Sequence, residues 1–268
     1  MRVVSAKQMR DLEDRAIREF GIPSLLLMEN AALAVVQEVR QIFQQIKKDI
    51  GKGKATIFVG KGNNGGDGLA VARHLLISGM DVTVYSFAKG DEFKGDAGLN
   101  YKLYQNTGGK LFTIDSEKQR RLVRISLAQA DVIIDAIFGT GFRGALPSLV
   151  EEYVEDINRA QVPVIAVDIP SGLEADTGKV YRTAVRAHTT VTFGLPKLGH
   201  FLGMGPEYSG RVIVDPISIP TSYLDHETLT TSILTEEIRQ CLPVRSFQGH
   251  KGTHGRGLLV AGSAGMTG

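Results

Sequence analysis

The sequence has little cysteine and no long apolar run, and each shortage argues against a class of protein. Its single cysteine, Cys241, cannot form a disulfide within the chain, which fits a reducing compartment. The N-terminal residues lack the apolar stretch of a secretory signal. The longest apolar runs fall well short of the ~20 residues that cross a bilayer. We therefore expect a cytoplasmic protein with no membrane span.

Charge of one sign is also scarce. The 31 lysines and arginines nearly balance the 29 aspartates and glutamates, which leaves a formal net charge of +2. No long block of like charge is present to gather phosphates or anionic lipids. We therefore expect neither nucleic acid nor a membrane surface as a partner. What the chain does have is 43% hydrophobic residues over 268 positions, enough for one large domain or two small ones.

Two helices are predicted at the N-terminus. Ser5 and Gln8 have the spacing of a capping box, and apolar residues then recur at helical spacing until Gly21 and Pro23. From Ser24 onward a 3.6-residue apolar period continues for several turns. This second segment predicts a long helix with one apolar stripe for packing.

Short apolar runs rich in branched residues follow, and they predict strands buried on both faces. These runs are 55–59, 82–87, 132–136, 162–167 and 189–193, with a further strand at 211–214. Helical segments are predicted between several of them, at 66–78, 117–128 and 148–159. The alternation of strand and helix predicts an α/β protein with a parallel sheet. We expect a Rossmann-like three-layer α/β/α sandwich with two leading N-terminal helices.

The loop after the first predicted strand has the sequence GKGNNGGDG, residues 60–68. Its glycines permit positive φ and close backbone contact, and the following helix offers free N–H groups to a phosphate. The G-x-G-x-x-G spacing alone fits an ordinary dinucleotide-binding loop, but the second strand ends without the acid that binds a ribose. Asn63, Asn64 and Asp67 add polarity that a phosphate loop does not require. No Gly-Lys-Ser/Thr follows, so a P-loop is not supported.

Two further strand ends carry an acid beside a glycine-containing turn. Asp135 opens the sequence DAIFGTGFRG, and Asp168 opens DIPSG. Each acid alone could equally be a cap or turn residue. Ligands of open α/β sheets bind beyond the carboxyl ends of the strands. Together, Asp67, Asp135 and Asp168 are therefore candidates for catalysis or for cation binding.

The motifs NNGGDG, DAIFGTG and DIPSG, in this order, resemble those of the NAD(P)H-hydrate epimerase family. The resemblance covers roughly residues 1–220, including both leading helices and the segment TFGLPK at 192–197. It implies an enzyme that interconverts the R and S forms of NADH or NADPH hydrated at C6 of the nicotinamide ring. It also implies that Asn64, Asp135 and Ser171 hold a potassium ion.

The same resemblance implies a set of substrate contacts from two loops and one further strand end. They are Asn63, Asn64, Gly65, Gly66, Asp67, Gly139, Thr140, Gly141, Phe142, Arg143, Gly144, Ala145 and Asp168. Asp168 is the candidate catalytic residue, because loss of hydroxide from C6 needs an acid, and return of water to the resulting iminium needs a base. The same group or another could act as that base. One carboxylate with amide and hydroxyl oxygens suits a monovalent ion, although these oxygens could instead bond loop backbone.

Residues 1–220 are predicted to form the epimerase domain, and 221–268 a linker and the truncated start of a ribokinase-like dehydratase domain. The second prediction depends on a resemblance of residues 250–252 and of a predicted strand at 257–262 to the start of that domain. A short helix is also predicted from residue 235 to 239. A complete dehydratase domain in a longer protein would remove the hydrate with ADP or ATP. We expect no such activity from this chain alone.

Two other functions stay open from the sequence. One is an NAD(P)-dependent Rossmann oxidoreductase, in which the nucleotide carries a hydride. The other is a non-catalytic nucleotide-binding scaffold, since one fold hosts many functions; the retained Asp168, Asp135 and Ser171 argue against it. Apolar residues on the leading helices could form a homo-oligomer face or pack onto the sheet. The sequence reveals no preference between the two hydrates.

Overall fold

A parallel β-sheet forms the centre of the molecule, in a computed structural model that describes residues 1–226, 228–234 and 257–258. Its strands are β1 Lys54–Val59, β2 Asp81–Ser86, β3 Lys110–Thr113, β4 Val132–Ala136, β5 Val164–Val167, β6 Thr189–Phe193 and β7 Arg211–Asp215. The α-helices in the described ranges are α1 Ala6–Arg15, α2 Ser24–Gln45, α3 Asn63–Ile77, α4 Gly95–Asn106, α5 Arg120–Gln129, α6 Ser148–Arg159, α7 Gly205–Ser209 and α8 Thr221–Leu224.

The strand order fixes where a ligand can bind. The sheet runs β3-β2-β1-β4-β5-β6-β7, and every neighbouring pair is parallel. The chain moves outward from β1 to β3 and then returns to place β4 beside β1. This reversal is the switch point of a doubly wound sheet, and the loops after β1 and β4 diverge there. The predicted Rossmann-like fold is confirmed.

Helices cover both faces of the sheet, as a three-layer sandwich requires. One hydrophobic core joins α2, α3 and α4 to side chains such as Ile57 and Ile134 on one face. A second core joins α5 and α6 to Phe58 and Ile133 on the other face. Val35, Val36 and Val39 of α2 are buried in the first core. The apolar stripe of the second predicted helix therefore packs onto the sheet.

The first helix begins as the sequence predicts. Ser5 Oγ accepts from the Gln8 backbone N–H at 3.2 Å, and Gln8 Oε1 accepts from the Ser5 N–H at 2.8 Å, so the capping box is complete. After Arg15 the chain continues as a π-helical turn, Ala16–Phe20. Gly21, at φ 80°, ends this turn, and Pro23 caps α2. Gly21 and Pro23 thereby separate the two leading helices, as the sequence predicts.

The described strands and helices form a unit that runs from Arg2 to Ser232, and a second unit comprises Met1 and residues 233–268. No helix of the described ranges is long and apolar enough to cross a membrane. The helix predicted at 235–239 lies outside the described residues. So does the strand predicted at 257–262, apart from its first two residues. The division at residue 220 stays a prediction.

Candidate active site

The candidate site lies at the switch point of the sheet. Val59 and Ala136, the last residues of β1 and β4, are register partners, and the Gly60 N–H donates to the Ala136 carbonyl at 3.2 Å. The following loops open above them into a cavity of about 790 Å³. The wall of this cavity also includes residues of α1 and α2. The leading helices thus help to build the site.

The glycines of the first loop do different work from that predicted. Helix α3 begins at Asn63, three residues before the predicted start, so most of the GKGNNGGDG motif is helical. None of its glycines has a positive φ. Instead, a Cβ at Gly65 would lie 1.7 Å from the Gly60 carbonyl oxygen, and a Cβ at Gly66 would lie 2.8 Å from Ala97 Cα. These glycines let α3 pack closely on its own loop and on α4.

Many of the predicted substrate contacts line the cavity. Those on its wall are Asn63, Asn64, Asp67, Gly139, Thr140, Gly141, Phe142, Arg143 and Asp168. The other four do not belong to the lining. Gly65 and Gly66 are buried where α3 packs, and Gly144 and Ala145 lie farther along their loop. The geometry therefore brings the side chains with acid, amide and hydroxyl groups together.

Asp168 lies where β5 ends, in a backbone conformation that is rare for a residue with a side chain. Its φ is 65°, in the left-handed region. The Asp168 N–H donates to the Val191 carbonyl at 2.7 Å, while Oδ1 accepts from Thr192 Oγ1 at 3.0 Å. Such conformations persist when surrounding bonds enforce them, and they cluster at functional sites. The Asp168 carboxylate is thus held against the cavity wall.

Lys197 is a site residue that the sequence analysis did not single out as functional. Its side chain is 1% exposed, and Nζ donates to Asp168 Oδ1 at 2.5 Å, to Thr192 Oγ1 at 2.9 Å and to the Phe193 carbonyl at 2.9 Å. All three N–H groups of the ammonium therefore have acceptors. The available signal was a lysine inside the largely apolar TFGLPKLG segment, which begins with the last two residues of β6. A buried lysine at a strand end requires an anionic partner.

His200 fixes the backbone of both members of this ion pair. Its Nδ1 accepts from the Lys197 N–H at 3.2 Å, and its Nε2 contacts the Asp168 carbonyl oxygen at 3.0 Å. Because a carbonyl only accepts, Nε2 must carry the proton, and the ring is neutral. Burial, together with the smaller effect of the positive charge of Lys197, lowers the pKa of His200 to about 4. At neutral pH the neutral His200 ring therefore links the backbone of Lys197 to the backbone of Asp168.

Two more carboxyl groups face the same cavity, Asp67 from α3 and Glu13 from α1. Burial raises the pKa of Asp67 well above its usual range, and the negative charges of Asp168 and Glu13 raise it further. Burial also raises the pKa of Glu13 to about 7, against the opposing effect of Lys197. Glu13 was not predicted as a site residue, since it occupies a single position in an ordinary amphipathic helix. Both groups are suited to hold protons near neutral pH.

Asp135 and Ser171 are joined directly at the ends of β4 and β5. Asp135 is fully buried; its carboxylate accepts from Ser171 Oγ at 2.6 Å and from the Ser171 N–H at 2.7 Å. Burial raises the pKa of Asp135 to about 6, although the bonds from Ser171 and Ile137 oppose this rise. The Ser171 hydroxyl also accepts from the Phe138 N–H at 2.9 Å. This network joins the loop after β4 to the loop after β5.

Asn64 lies beside this network with its amide unpaired. The side chain is 8% exposed, and neither Oδ1 nor Nδ2 has a hydrogen-bond partner among the described residues. A Cβ built on Gly139 would lie 3.4 Å from Asn64 Cγ, so the amide sits against the loop that follows Asp135. An unpaired buried amide is costly. It is the kind of group that a bound ligand or ion satisfies.

Arg143, one of the predicted substrate contacts, is already paired. Its Nη2 donates to Asp176 Oδ2 at 2.5 Å, and Nη1 donates to the Thr140 and Phe142 carbonyls. Asp176 in turn accepts from the Ala6 N–H at 2.6 Å. The arginine thus stiffens its loop and joins it to the start of α1. Much of its charge is offset before any substrate arrives.

Comparison with known proteins decides the family. The model of the family described as YjeF-related protein N-terminus matches residues 24–199. The chain belongs to this family. Within this YjeF-related chain, the match includes all three motifs and Lys197, whereas Glu13 precedes it. The family predicted from the motifs is confirmed.

Relatives of this YjeF-related chain match most or all of its length. It is 44% identical over 269 residues to the bifunctional NAD(P)H-hydrate repair enzyme Nnr of Moorella thermoacetica, covering 100% of this chain and 50% of that protein. The chain thus spans about half the length of this bifunctional relative. It is 38% identical to the NAD(P)H-hydrate epimerase of Limosilactobacillus reuteri strain DSM 20016, over 80% of this chain and 94% of that protein.

A solved structure has the same fold. The crystal structure of the yeast protein ynu0, YNL200c, matches with a TM-score of 0.66 and 25% identity, covering 80% of this chain and 87% of that one. The YjeF-related chain therefore shares its architecture with a protein whose structure was determined by experiment.

Proposed function

We propose that the chain is an NAD(P)H-hydrate epimerase, which interconverts the R and S forms of NADH and NADPH hydrated at C6. The main support for the proposal is that one cavity contains both the N-terminus of α3 and the ion pair of Asp168 with Lys197. The N-terminus of α3 suits a phosphate, because its first N–H groups are free. The ion pair of Asp168 with Lys197 suits chemistry on a ring that becomes cationic. Relatives named for this reaction support the assignment.

The reaction requires proton transfer without any redox step. The nitrogen lone pair of the hydrated ring helps to expel the C6 hydroxyl as water, provided an acid protonates that oxygen. The product is a flat iminium, and water returns to either face when a base removes its proton. We propose Asp168 as the catalytic residue that exchanges a proton with the C6 oxygen. A positioned acid or base contributes roughly 10²–10⁴-fold to such steps.

The proposed contacts with the nucleotide come from the two loops at the switch point. Asn63, Asn64 and the N-terminus of α3 would hold the phosphates, and residues 139–143 would cover the nucleotide from the opposite side. Lys61 and Arg143 lie at the cavity wall and add positive charge for phosphate. Of the two, Lys61 is the freer, since its nearest carboxylate, Glu92, is 3.9 Å away.

A potassium ion held by Asn64, Asp135 and Ser171 remains part of the proposal, and the residues fit it. Asn64 has a buried amide oxygen without a hydrogen-bond partner in the described ranges, and Asp135 is a buried carboxylate without a cationic partner there. An oxygen donor set with one carboxylate suits a weakly charged hard cation. The ion would supply positive charge beside the phosphate-binding loops. Asn64, Asp135 and Ser171 would be the protein's ligands.

The test is the interconversion of the isolated hydrates. Purified R or S hydrate, separated by chromatography, is incubated with wild-type protein, with Asp168→Asn and without protein, each in potassium or choline buffer. We expect wild type to speed interconversion and Asp168→Asn to lose about 100-fold or more of that activity. Asp168→Asn should still bind the nucleotide. Wild-type protein that leaves the uncatalysed rate unchanged would overturn the assignment.

Further properties belong to the whole protein. The dehydratase domain that the sequence resemblance implies, and its use of ADP or ATP, are proposed for a longer protein of which this chain would be the N-terminal part. Cytoplasmic location and a homo-oligomer likewise stay proposals. Activity of the chain alone should be limited to epimerisation.

A further inference from the structure

The charges around Lys197 do not balance. Three carboxyl groups, those of Glu13, Asp67 and Asp168, line one cavity, and burial, together with the negative charge of Asp168, raises the pKa of both Glu13 and Asp67. Lys197 directs one N–H to Asp168 and the other two to Thr192 and the Phe193 carbonyl. No donor remains on Lys197 for Asp67 or Glu13. The ammonium therefore pairs directly with Asp168 and acts on Asp67 and Glu13 only through its charge, against the larger effect of burial on the pKa of each.

Asp67 and Glu13 have no directly bonded cation among the residues that the structure describes. In the described residues neither side chain forms a hydrogen bond or an ion pair, yet each keeps part of its surface open to the cavity. Arg10 and Asp14, which also line the cavity, influence Glu13 in opposite directions. Two carboxylates in a poorly solvated place cannot both ionise cheaply. The pair of Asp67 and Glu13 therefore retains a proton more readily than an isolated carboxyl group does.

We propose that epimerisation uses two acid–base groups, in which Asp67 gives the proton to the C6 hydroxyl that leaves one face, and Asp168 takes the proton from the water that enters the other face. Glu13 is a positioning residue, whose negative charge keeps the proton on Asp67. The inference rests on the proposed function and names the second group that the reaction needs. Asp67 and Asp168 come from different walls, α3 and the end of β5.

The proton balance closes over a pair of turnovers. In the first direction the C6–O bond breaks, the ring nitrogen donates its lone pair to form C=N, and the oxygen leaves as water with the Asp67 proton. Water then adds to C6 on the other face and loses a proton to Asp168. Asp67 is now a carboxylate and Asp168 an acid, which is the state required for the reverse conversion. Exchange with solvent through the open cavity also resets the pair.

The test compares Asp67→Asn and Glu13→Gln with wild type, and Asp11→Asn serves as the matched control. Asp11 is on the exposed face of α1, where it pairs with Lys7, and it does not line the cavity. Substitution of Asp67 by Asn should lower kcat at least about 100-fold, with the affinity for the separated hydrates and the melting temperature nearly unchanged. The control should keep wild-type kinetics.

Glu13→Gln should change the pH profile of kcat/KM, which a purely structural role of Glu13 would leave unchanged. Loss of its negative charge makes Asp67 release its proton more readily, so the high-pH limb of the kcat/KM profile should shift to lower pH. Glu13→Asp should restore most of the wild-type profile. Asp67→Asn with wild-type kcat would overturn the two-group mechanism, as would Glu13→Gln with an unshifted profile. Wild-type protein with no epimerase activity would instead overturn the proposed function itself.

Discussion

Lys197 and Asp168 form an ion pair that is buried at one end and open at the other. The distance between Lys197 Nζ and Asp168 Oδ1 is 2.5 Å, and the side chains are 1% and 15% exposed. The two residues follow neighbouring strands, β6 and β5, whose carboxyl ends meet at the same edge of the sheet. The Lys197 ammonium is therefore bonded only within the protein, whereas the Asp168 carboxylate is accessible from the cavity. The pair sets the charge of the site before substrate binds.

Removal of Lys197 should destabilise the fold. Breaking a buried pair by deleting one partner costs about 3–5 kcal/mol, because an uncompensated charge remains. The partial exposure of Asp168 places Lys197→Met toward the lower end of this range. Urea unfolding, with Asp168→Asn and the double variant completing a cycle, measures the coupling. Lys7→Met breaks the exposed pair with Asp11 and should change the unfolding free energy by less than about 1 kcal/mol. Equal losses for Lys197→Met and Lys7→Met would contradict the role of the pair.

The contribution of the His200 hydrogen bonds to stability should decrease at acidic pH. Burial lowers the pKa of His200 from 6.5 to about 4. Between pH 6.5 and pH 4, therefore, this histidine is protonated in the unfolded chain but neutral in the native protein. Stability from this group is complete above pH 6.5 and declines as pH falls toward 4, by about 3 kcal/mol in all. In His200→Gln, the glutamine amide replaces the ring nitrogens as donor and acceptor but cannot titrate. Its stability deficit relative to wild type, measured by urea unfolding, should shrink from pH 7 to pH 4. A constant deficit across this range would show that the ring does not titrate as described.

Helix α3 should tolerate alanine at one glycine of the motif and not at another. A Cβ at Gly65 would lie 1.7 Å from the Gly60 carbonyl oxygen, whereas nothing lies within 4 Å of a Cβ at Gly62. Gly62 also has a φ of −83°, which alanine adopts readily. Gly65→Ala should therefore lose about 1–3 kcal/mol or more to overpacking, while Gly62→Ala should lose little. Thermal unfolding of the two variants side by side decides this, and similar melting temperatures would refute the packing role assigned to Gly65.

Potassium should stabilise the protein through Asn64. A ligand that binds only the native state raises stability as its concentration exceeds its dissociation constant. The melting temperature should be higher in potassium chloride than in choline chloride of equal ionic strength. Asn64→Leu should abolish this difference and, in choline buffer, should be at least as stable as wild type, because it removes an unpaired buried amide. A potassium effect of the same size in both proteins would argue against this ion site.

The parts of the fold with strong periodicity were predictable. The strand at Val132–Ala136 and the helix at Ser148–Arg159 have the predicted bounds, because their apolar patterns are distinct and their ends are marked by turns. Helix α4, Gly95–Asn106, was not predicted, since among its residues only Ala97, Asn100 and Tyr104 are buried. Strand β3, Lys110–Thr113, is short and alternates between exposed and half-buried side chains. Both elements form through packing against neighbours that a linear pattern does not show.

The candidate site was predictable where its residues lie in the three sequence motifs. Asp135 and Asp168 stand directly at strand ends, where the sheet topology gathers them. Lys197 and His200 follow β6 by several residues, so only the fold reveals that they reach Asp168. Glu13 lies far from the motifs in sequence and joins the cavity through the docking of α1. Tertiary contacts, rather than local motifs, supply these three residues.

In the proposed mechanism, this cavity catalyses loss and return of water at C6 of a hydrated nicotinamide nucleotide. The most direct test is the conversion of isolated R hydrate in ¹⁸O-labelled water, followed by chromatography and mass spectrometry. This mechanism predicts that wild-type protein forms the S hydrate well above the uncatalysed rate, with solvent oxygen in the product, and that Asp168→Asn does so at least about 100-fold more slowly. Formation of S hydrate by wild type at the uncatalysed rate, or with the original oxygen retained, would contradict it.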